Sequence, residues 1–405
     1  MPTLAPNPPI AQSLAPVSRD STAAPVRVCF LIDGLSRAGT ETQLLALIRE
    51  LDRTRVEPSL VLLDGEDELS RSLEPADCPV LRLGVRRLVG WRAVAAARRL
   101  AAFWRERRPD VLQAYFLDSA YFGVPLARWC GVPRVVRVRN NLGYWLTRKH
   151  RLLNRLVGRL VDVTLTNTDA GKQALIDAEG LPPGRVAVLA NGVDLARFAG
   201  FPEPDTTRPV VRVGCVANLR PVKNIDGLMR AARRVCDRFP HVVFEVAGDG
   251  EQRDDLERLH ADLRLGDRFL LRGSVADVPG FLRTLDVAAL PSHSEGMSNA
   301  LLEYMAAGRA IVATDVGANS TLIRDGEHGL IVPPGNPATL AVSFERLLAD
   351  APLAARLGAA ARTRVRAEYS RDAMRQRFED FYHELTRRTT ASRSSPNTLA
   401  RSSRW

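Results

Sequence analysis

From Val26 onward, short apolar runs alternate with stretches whose apolar positions recur every three or four residues. The first series reads VRVCFLI, a helix from Glu41 to Leu51, PSLVLL, a helix from Trp91 to Arg107, DVLQAY, a helix around Tyr121 to Cys130, and RVVRV. Asp162 to Thr166, a helix from Ala170 to Glu179, and VAVLAN continue it. Apolar strands separated by helical patterns are the mark of βαβ units, in which a parallel sheet is covered by helices on both faces. The series then restarts with VRVGCVAN, a helix from Asn224 to Phe239, VVFEVAG, a helix from Gln252 to Leu263, FLLRG, DVAAL and AIVAT. The expected fold class is α/β, with two Rossmann-like, doubly wound domains facing across a cleft and ligands held beyond the carboxyl ends of the strands. The turn-rich stretch NGVDLARFAGFPEPDTTRP marks the join. The expected units are a first domain over 26–195, a linker over 196–208 and a second domain over 209–368. A last helical pattern, Arg371 to Leu385, falls in a segment over 369–387 and has no strand after it.

Length agrees with two units, since 405 residues exceed what one hydrophobic core usually serves. Hydrophobic content of 45% and charged content of 25% are those of an ordinary soluble protein, and no apolar run approaches the ~20 residues of a membrane-spanning helix. Residues 1–25 are rich in Pro, Ala and Ser and lack the apolar core of a secretory signal, so a disordered tail and a cytoplasmic location are expected. The five cysteines are scattered without a CxxC pair, which argues against a disulfide framework or a zinc site.

The net charge of +11 raises the question of a partner. Part of the excess lies in the acid-free stretch after Leu385, where residues 388–405 read as a disordered basic tail. Another part surrounds a helical stripe of Trp145, Leu146, Leu152, Leu153, Leu156, Val157 and Leu160, flanked by Arg148, Lys149, Arg151, Arg155 and Arg159. Such a helix suits an anionic membrane surface, and equally suits packing on its own domain's core with solvated arginines outside. No recognition helix, aromatic platform or zinc finger accompanies the charge, so nucleic acid is not an expected partner.

The chemistry concentrates in DVAALPSHSEGMSNALLEYMAAGRAIVATDVG, residues 286–317. A strand leads through a turn-rich loop to Ser298, whose hydroxyl is suited to cap a helix running to Ala307 and ended by Gly308. The free N–H groups of that helix start, at Ser298, Asn299 and Ala300, form an anion site reinforced by the helix dipole. Glu295 lies just before the helix and Glu303 one turn inside it, so the layout suits a phosphate-linked sugar with carboxylates accepting from hydroxyls on either side. After VRVGCVAN, Arg220 and Lys223 sit on a strand-to-helix loop where two cations can neutralise a departing diphosphate, leaving no need for a metal. No Asp-x-Asp follows a strand as in metal-dependent transferases; Asp64, Glu66 and Asp67 read as a solvated loop. Gly34 and Gly39 permit close backbone approach where Thr40 and Glu41 open the next helix, but the spacing is not the GxGxxG of a nicotinamide site. Gly273 and Val275 are candidate backbone contacts to a nucleobase. His293, beside Glu295, is an acid–base candidate or a bystander, and Asn191-Gly192 a turn.

SEGMSNALLEYMAAG, with glutamates separated by seven residues, resembles the donor-site motif of the retaining glycosyltransferases of family 4, which have the GT-B fold. The resemblance spans roughly residues 26–385 and includes Asn191-Gly192-Val193-Asp194. It implies that Glu303 holds the ribose of a nucleotide sugar, that Glu295 contacts the donor sugar near the reacting carbon, and that Arg220 and Lys223 stabilise the leaving diphosphate. It also implies a terminal helix crossing back to the first domain, Gly39 against the diphosphate or donor sugar, UDP as the nucleotide, and a glycan or lipid-linked hydroxyl acceptor. Two positions depart from the family. Ala38 replaces the first of two adjacent glycines, and Arg139-Asn140-Asn141 stand where many relatives carry a histidine, which makes Arg139 and Asn140 acceptor-side candidates. A nucleotide-sugar epimerase or hydrolase, or an idle nucleotide-sugar-binding subunit, are the alternative outcomes.

Overall fold

A computed structural model describes residues 24–65, 67–140, 147–202 and 211–393. Residues 1–23 of the expected N-terminal tail, residues 203–208 of the linker, residues 394–405 of the basic tail, Glu66, Asn141, Trp145 and Leu146 lie outside the described residues. The first sheet contains β1 (Val26–Ile32), β2 (Val56–Leu62), β3 (Val80–Arg82), β4 (Val111–Tyr115), β5 (Arg134–Val138), β6 (Val163–Thr166) and β7 (Val186–Val188). All its pairings are parallel, in the order β3-β2-β1-β4-β5-β6-β7. The second contains β8 (Arg212–Val216), β9 (Val243–Ala247), β10 (Phe269–Gly273), β11 (Val287–Leu290), β12 (Ala310–Thr314) and β13 (Leu330–Val332), also parallel, ordered β10-β9-β8-β11-β12-β13. In each sheet the order reverses between two adjacent strands, β1 and β4 in the first and β8 and β11 in the second. These are the switch points at which doubly wound sheets open a crevice. The short edge strands β3 and β13, too brief to carry a periodic signal, were not read from the sequence.

The helices of the first domain are α1 (Gly39–Glu50), α2 (Glu68–Leu73), α3 (Trp91–Arg107), α4 (Leu117–Trp129), α5 (Arg148–Arg159) and α6 (Asp169–Glu179). Those of the second are α7 (Ile225–Arg238), α8 (Arg253–Asp262), α9 (Val278–Thr284), α10 (Asn299–Ala306), α11 (Asn319–Leu322), α12 (Pro337–Ala349) and α13 (Ala351–Glu368). Alternation along β1 feeds two cores. Val28, Phe30 and Ile32 join Leu44, Leu47 and Leu62 on one face, whereas Cys29 and Leu31 join Leu100, Trp104, Leu112 and Val124 on the other. Both faces are apolar because both are covered, which is why these strands read as continuous hydrophobic runs.

The final helix, α14 (Arg371–Arg393), follows the second domain but packs on the first sheet. Tyr382 donates to Gln113 Oε1 at 2.9 Å, and the buried Glu379 accepts from the Asp52 N–H at 2.9 Å and from Arg55 at 2.7 Å. Where the chain returns, Val193 and Tyr369 share a backbone bond of 2.8 Å, and Arg371 pairs with Asp194 at 2.8 Å.

Three sequence expectations are corrected. Residues 388–393, assigned to a disordered tail, continue α14 as helix. Asp67 is not a loop acid but the N-cap of α2, accepting the Ser70 N–H at 2.8 Å. The stripe on α5 is not packed as a unit: Asn154 and Val157 are buried, while Leu152, Leu153, Leu156 and Leu160 are 62%, 40%, 49% and 37% exposed. Tyr121 donates to Asn154 Oδ1 at 3.0 Å, so α5 docks on α4 through a polar contact that the apolar pattern did not reveal.

Candidate active site

The second switch point gathers Lys223, Glu295 and the helix start at Ser298. The loop after β8 carries Arg220 and a 3-10 turn ending at Lys223, after which Asn224 takes a left-handed conformation at φ 54°. Its side-chain amide donates to the Pro291 carbonyl at 2.9 Å, tying this loop to the one after β11. As a result Lys223 Nζ lies 2.7 Å from Glu295 Oε1, and Ser292 Oγ donates to the same oxygen at 2.7 Å. Thr314 donates to the Ser292 carbonyl at 2.6 Å and so steadies the loop from β12.

Ser298 is the N-cap of α10, accepting the Leu301 N–H at 3.3 Å. The backbone N–H groups of Asn299 and Ala300 make no bond among the described residues, as expected of a first helical turn, at the positive end of the helix dipole. Glu303, one turn on, pairs with Arg197 at 3.3 Å. Burial pushes its carboxyl above the ordinary value, against the opposing pull of Arg197. Tyr304 is fully buried, and its hydroxyl accepts the Val216 N–H at 2.7 Å, pinning α10 to the end of β8.

Glycines let the loops close. Gly317, at φ 58°, would place a Cβ 2.2 Å from the Glu295 carbonyl oxygen, and Gly296 would place one 2.4 Å from the Asn140 carbonyl oxygen of the first domain. The two halves also meet at Asn299, whose side chain donates to the Gly39 carbonyl at 3.2 Å and accepts from Gln43 at 3.0 Å and Asn191 at 2.9 Å. The Asn299 side chain is thus spent on joining the domains, leaving its backbone N–H for a ligand. Gly39 lies at that seam and opens α1. Asn191-Gly192 is not a left-handed turn. Gly192 is required because a Cβ there would lie 2.9 Å from Met374 Cβ and 3.0 Å from the Ser370 carbonyl.

The other predicted residues make no side-chain bond to Lys223 or Glu295 among the described residues. Arg220 is exposed and makes no side-chain bond among the described residues. Gly273 ends β10 at φ 70° with its carbonyl taken by the Gly248 N–H at 2.7 Å, and Val275 follows it half-buried. His293 is exposed and follows Ser292 directly, with its backbone N–H donating to the Val222 carbonyl at 2.8 Å. Arg139 is buried and bonded to Glu179 at 2.9 Å, which also holds the fully buried Arg137 at 2.7 Å. Asn140 lies half-buried beside it. The described residues contain no group of three or more His, Cys, Asp or Glu placed to hold a metal ion. Sequence reasoning missed Ser292, Arg197, Gln43 and Tyr304. Only Ser292, in the same loop as Glu295, carried a local signal; the others act across the fold.

Two Rossmann-like sheets joined by a crossover helix, with a helix start and a cation at the second switch point, define a GT-B architecture. Residues 38–192 match the family Glycosyl transferase 4-like domain, and residues 210–350 match Glycosyl transferases group 1. The chain belongs to this glycosyltransferase family. It is 27% identical over 249 residues to UDP-Gal:alpha-D-GlcNAc-diphosphoundecaprenol alpha-1,3-galactosyltransferase of Escherichia coli, covering 56% of this chain and 63% of that protein. It is 31% identical over 284 residues to D-inositol 3-phosphate glycosyltransferase of Frankia alni, covering 62% and 69%. The chain spans about half to two thirds of the length of the first curated relatives it matches. HepE of Anabaena, solved in complex with UDP, superposes with a TM-score of 0.79 at 19% identity over 89% of this chain and 100% of that one.

Proposed function

We propose that this protein is a retaining glycosyltransferase that moves a sugar from a nucleoside diphosphate, UDP in the first instance, to a hydroxyl on a glycan or lipid-linked acceptor in cell-envelope biosynthesis. The observation that carries the reading is the convergence of Lys223, Ser292 and Glu295 beside the unpaired N–H groups of Asn299 and Ala300. In this reading Lys223 leaves Glu295 for the diphosphate when donor binds. Arg220 and the α10 dipole add positive charge as the diphosphate departs, so the reaction runs without a metal ion. Glu303 accepts from the ribose hydroxyls. Glu295, freed from Lys223, orients the donor sugar and stabilises positive charge at its reacting carbon, since glycosyl transfer passes through oxocarbenium-like states. Ser298, Asn299, Ala300 and Gly39 line the diphosphate, with Gly273 and Val275 toward the base. The galactosyltransferase relative is named for a UDP-sugar donor and a lipid-diphosphate-linked acceptor, and HepE for bound UDP, which supports this choice of substrates.

The test is Glu295→Gln, which should abolish sugar transfer while UDP still raises the melting temperature; unchanged turnover defeats the assignment. A thermal-shift comparison of UDP, GDP and ADP decides the nucleotide, because a ligand binding only the native state stabilises it.

An acceptor of this class is held in a bilayer, and we place the chain at the cytoplasmic face of the cell membrane. Among the described residues no helix is long and apolar enough to cross a membrane. The exposed leucines of α5, with Lys149, Arg151, Arg155 and Arg159 alongside, support docking on an anionic surface. Flotation with phosphatidylglycerol vesicles should capture the protein, and Leu152→Gln/Leu156→Gln should release it. Equal capture by pure phosphatidylcholine vesicles would refute a role for charge.

A further inference from the structure

Side-chain amides form a closed chain of hydrogen bonds where the two domains meet, and neighbours that can only donate or only accept fix the polarity of the chain. The Gly192 N–H donates to Gln43 Oε1 at 3.2 Å, and Gln43 Nε2 donates to the Gly192 carbonyl at 3.0 Å. The Gln43 atom facing an N–H must be oxygen and the one facing a carbonyl must be nitrogen, so its second N–H is left for Asn299 Oδ1, at 3.0 Å. Asn191 donates to the same oxygen at 2.9 Å, its own oxygen being taken by Asn167 at 3.4 Å. Asn299 Nδ2 then needs an acceptor, and it meets the Gly39 carbonyl at 3.2 Å. Three residues of the first domain thus converge on one side chain of the second, at the first residue of α10.

Gln43 differs from the other two in what stands behind it. Gly192 precedes Val193, which pairs with Ser370 where the chain returns from the second domain. The Val193 N–H donates to the Tyr369 carbonyl at 2.8 Å, and the Arg371 N–H donates to the Val193 carbonyl at 3.1 Å. A Cβ on Gly192 would lie 2.9 Å from Met374 Cβ, so this backbone is packed directly on α14. A rotation of the second domain about this crossing turns the Gly192 peptide groups, and the Gln43 amide, bonded to both the N–H and the carbonyl of Gly192, turns with them. Charge plays no part in the coupling, since no charged side chain lines the small cavity beside Gln43.

We propose that Gln43 is a positioning residue, a latch that converts the hinge angle at Gly192 into the seating of the α10 start against the first domain. With the latch made, α10 and the Glu295 loop, whose Gly296 abuts the Asn140 carbonyl, form one surface with the first domain. With it broken, Asn299 loses the one partner that is tied to the hinge. The assignment deepens the transferase reading and rests on it for its purpose, whereas the clasp itself belongs to the free chain.

The experiment measures domain separation. Cys130, in the first domain, is exposed and the other four cysteines are buried. A nitroxide there and another at Val342→Cys, a 60% exposed position on α12 of the second domain, give one interdomain distance by pulsed electron resonance. It is recorded with and without saturating UDP for the labelled parent, Gln43→Met, Asn299→Ala and the double variant. The parent should show a dominant short-distance population. Gln43→Met, similar in length but without the amide, should lower the ratio of short to long distances by roughly 2- to 10-fold, the effect of one neutral hydrogen bond. Because Gln43 acts through Asn299, adding Gln43→Met to Asn299→Ala should change the ratio no further, whereas a local loss of helix stability would add to it. Thr42→Ala, at an exposed position of α1, should leave the ratio unchanged. A parent without the short population, a parent-like distribution in Gln43→Met, or additive effects in the double variant overturns the latch. Failure of UDP to raise the parent's melting temperature sinks the transferase reading instead, and the distances in the nucleotide-free chain then decide the latch alone.

Discussion

Replacing Glu179 with glutamine would leave two guanidinium groups facing each other in the interior with no anion between them. Glu179 is 2% exposed at its side chain, Arg137 0% and Arg139 6%, with contacts of 2.7 and 2.9 Å. The glutamine is isosteric and still offers one carbonyl oxygen, so the change is almost purely one of charge. Removing one partner of a buried ion pair costs about 3–5 kcal/mol, because the remaining charge is stranded out of water. Two charge-assisted hydrogen bonds at ~1.5–3 kcal/mol each give a similar figure. At about 2–4 °C per kcal/mol for a domain of this size, the melting temperature of the first domain should fall by roughly 6–20 °C. The assay is a slow thermal scan of wild type, Glu179→Gln, Arg139→Gln and the double variant. Arg139→Gln should be the milder single change, since Glu179 keeps Arg137, and the double should cost less than the sum of the singles because it strands one cation rather than two. A Glu179→Gln melting temperature within about 2 °C of wild type would show that the arginines are neutralised or hydrated by another route, and the reasoning would fail.

Two further outcomes follow from the donor side. In the proposed reading Glu303 accepts ribose hydroxyls, best as a carboxylate, and its raised pKa means that this form is present above that pKa and lost as pH falls through it. UDP affinity, followed by calorimetry, should therefore weaken on acidification at a pH above the ~4.3 of an ordinary glutamate. Glu303→Gln should bind UDP roughly 10- to 100-fold more weakly with that acid limb gone, and a variant that keeps it points to another group. Gly317→Ala combines a left-handed φ of 58° with a Cβ 2.2 Å from the Glu295 carbonyl oxygen, so the Glu295 loop must move. A displacement of about 1 Å at a reacting geometry can cost ~100-fold, so sugar transfer should collapse while the chain remains folded by circular dichroism; near-normal transfer would contradict this close contact.

The α/β class, the restart of the strand series and the helix start at Ser298 were all legible, because strand and helix periods and capping preferences are local properties of the chain. Glu295, Lys223 and Arg220 were singled out from their places on loops that follow strands, and the structure brings the first two to 2.7 Å of each other. Less was legible where a contact joins distant segments. Arg197 reaches Glu303 across more than a hundred residues, and nothing local to Asn299 showed that its side chain would clasp Gly39, Gln43 and Asn191. Asp67 was taken for a solvated acid because a short helix such as α2 gives no periodic signal to cap.

By itself the sequence determined where buried strands and amphipathic helices form, since hydrophobic spacing, helix caps and turn residues act over a few neighbours at a time. Only the tertiary structure decided that Arg139 is neutralised by Glu179, that Asp33 and Arg139 line one cavity at the first switch point, and that the leucines of α5 stay uncovered. Those outcomes depend on which strands become neighbours and which polar groups lose their water. Both follow from the packing of the whole chain, not from the composition of any one segment.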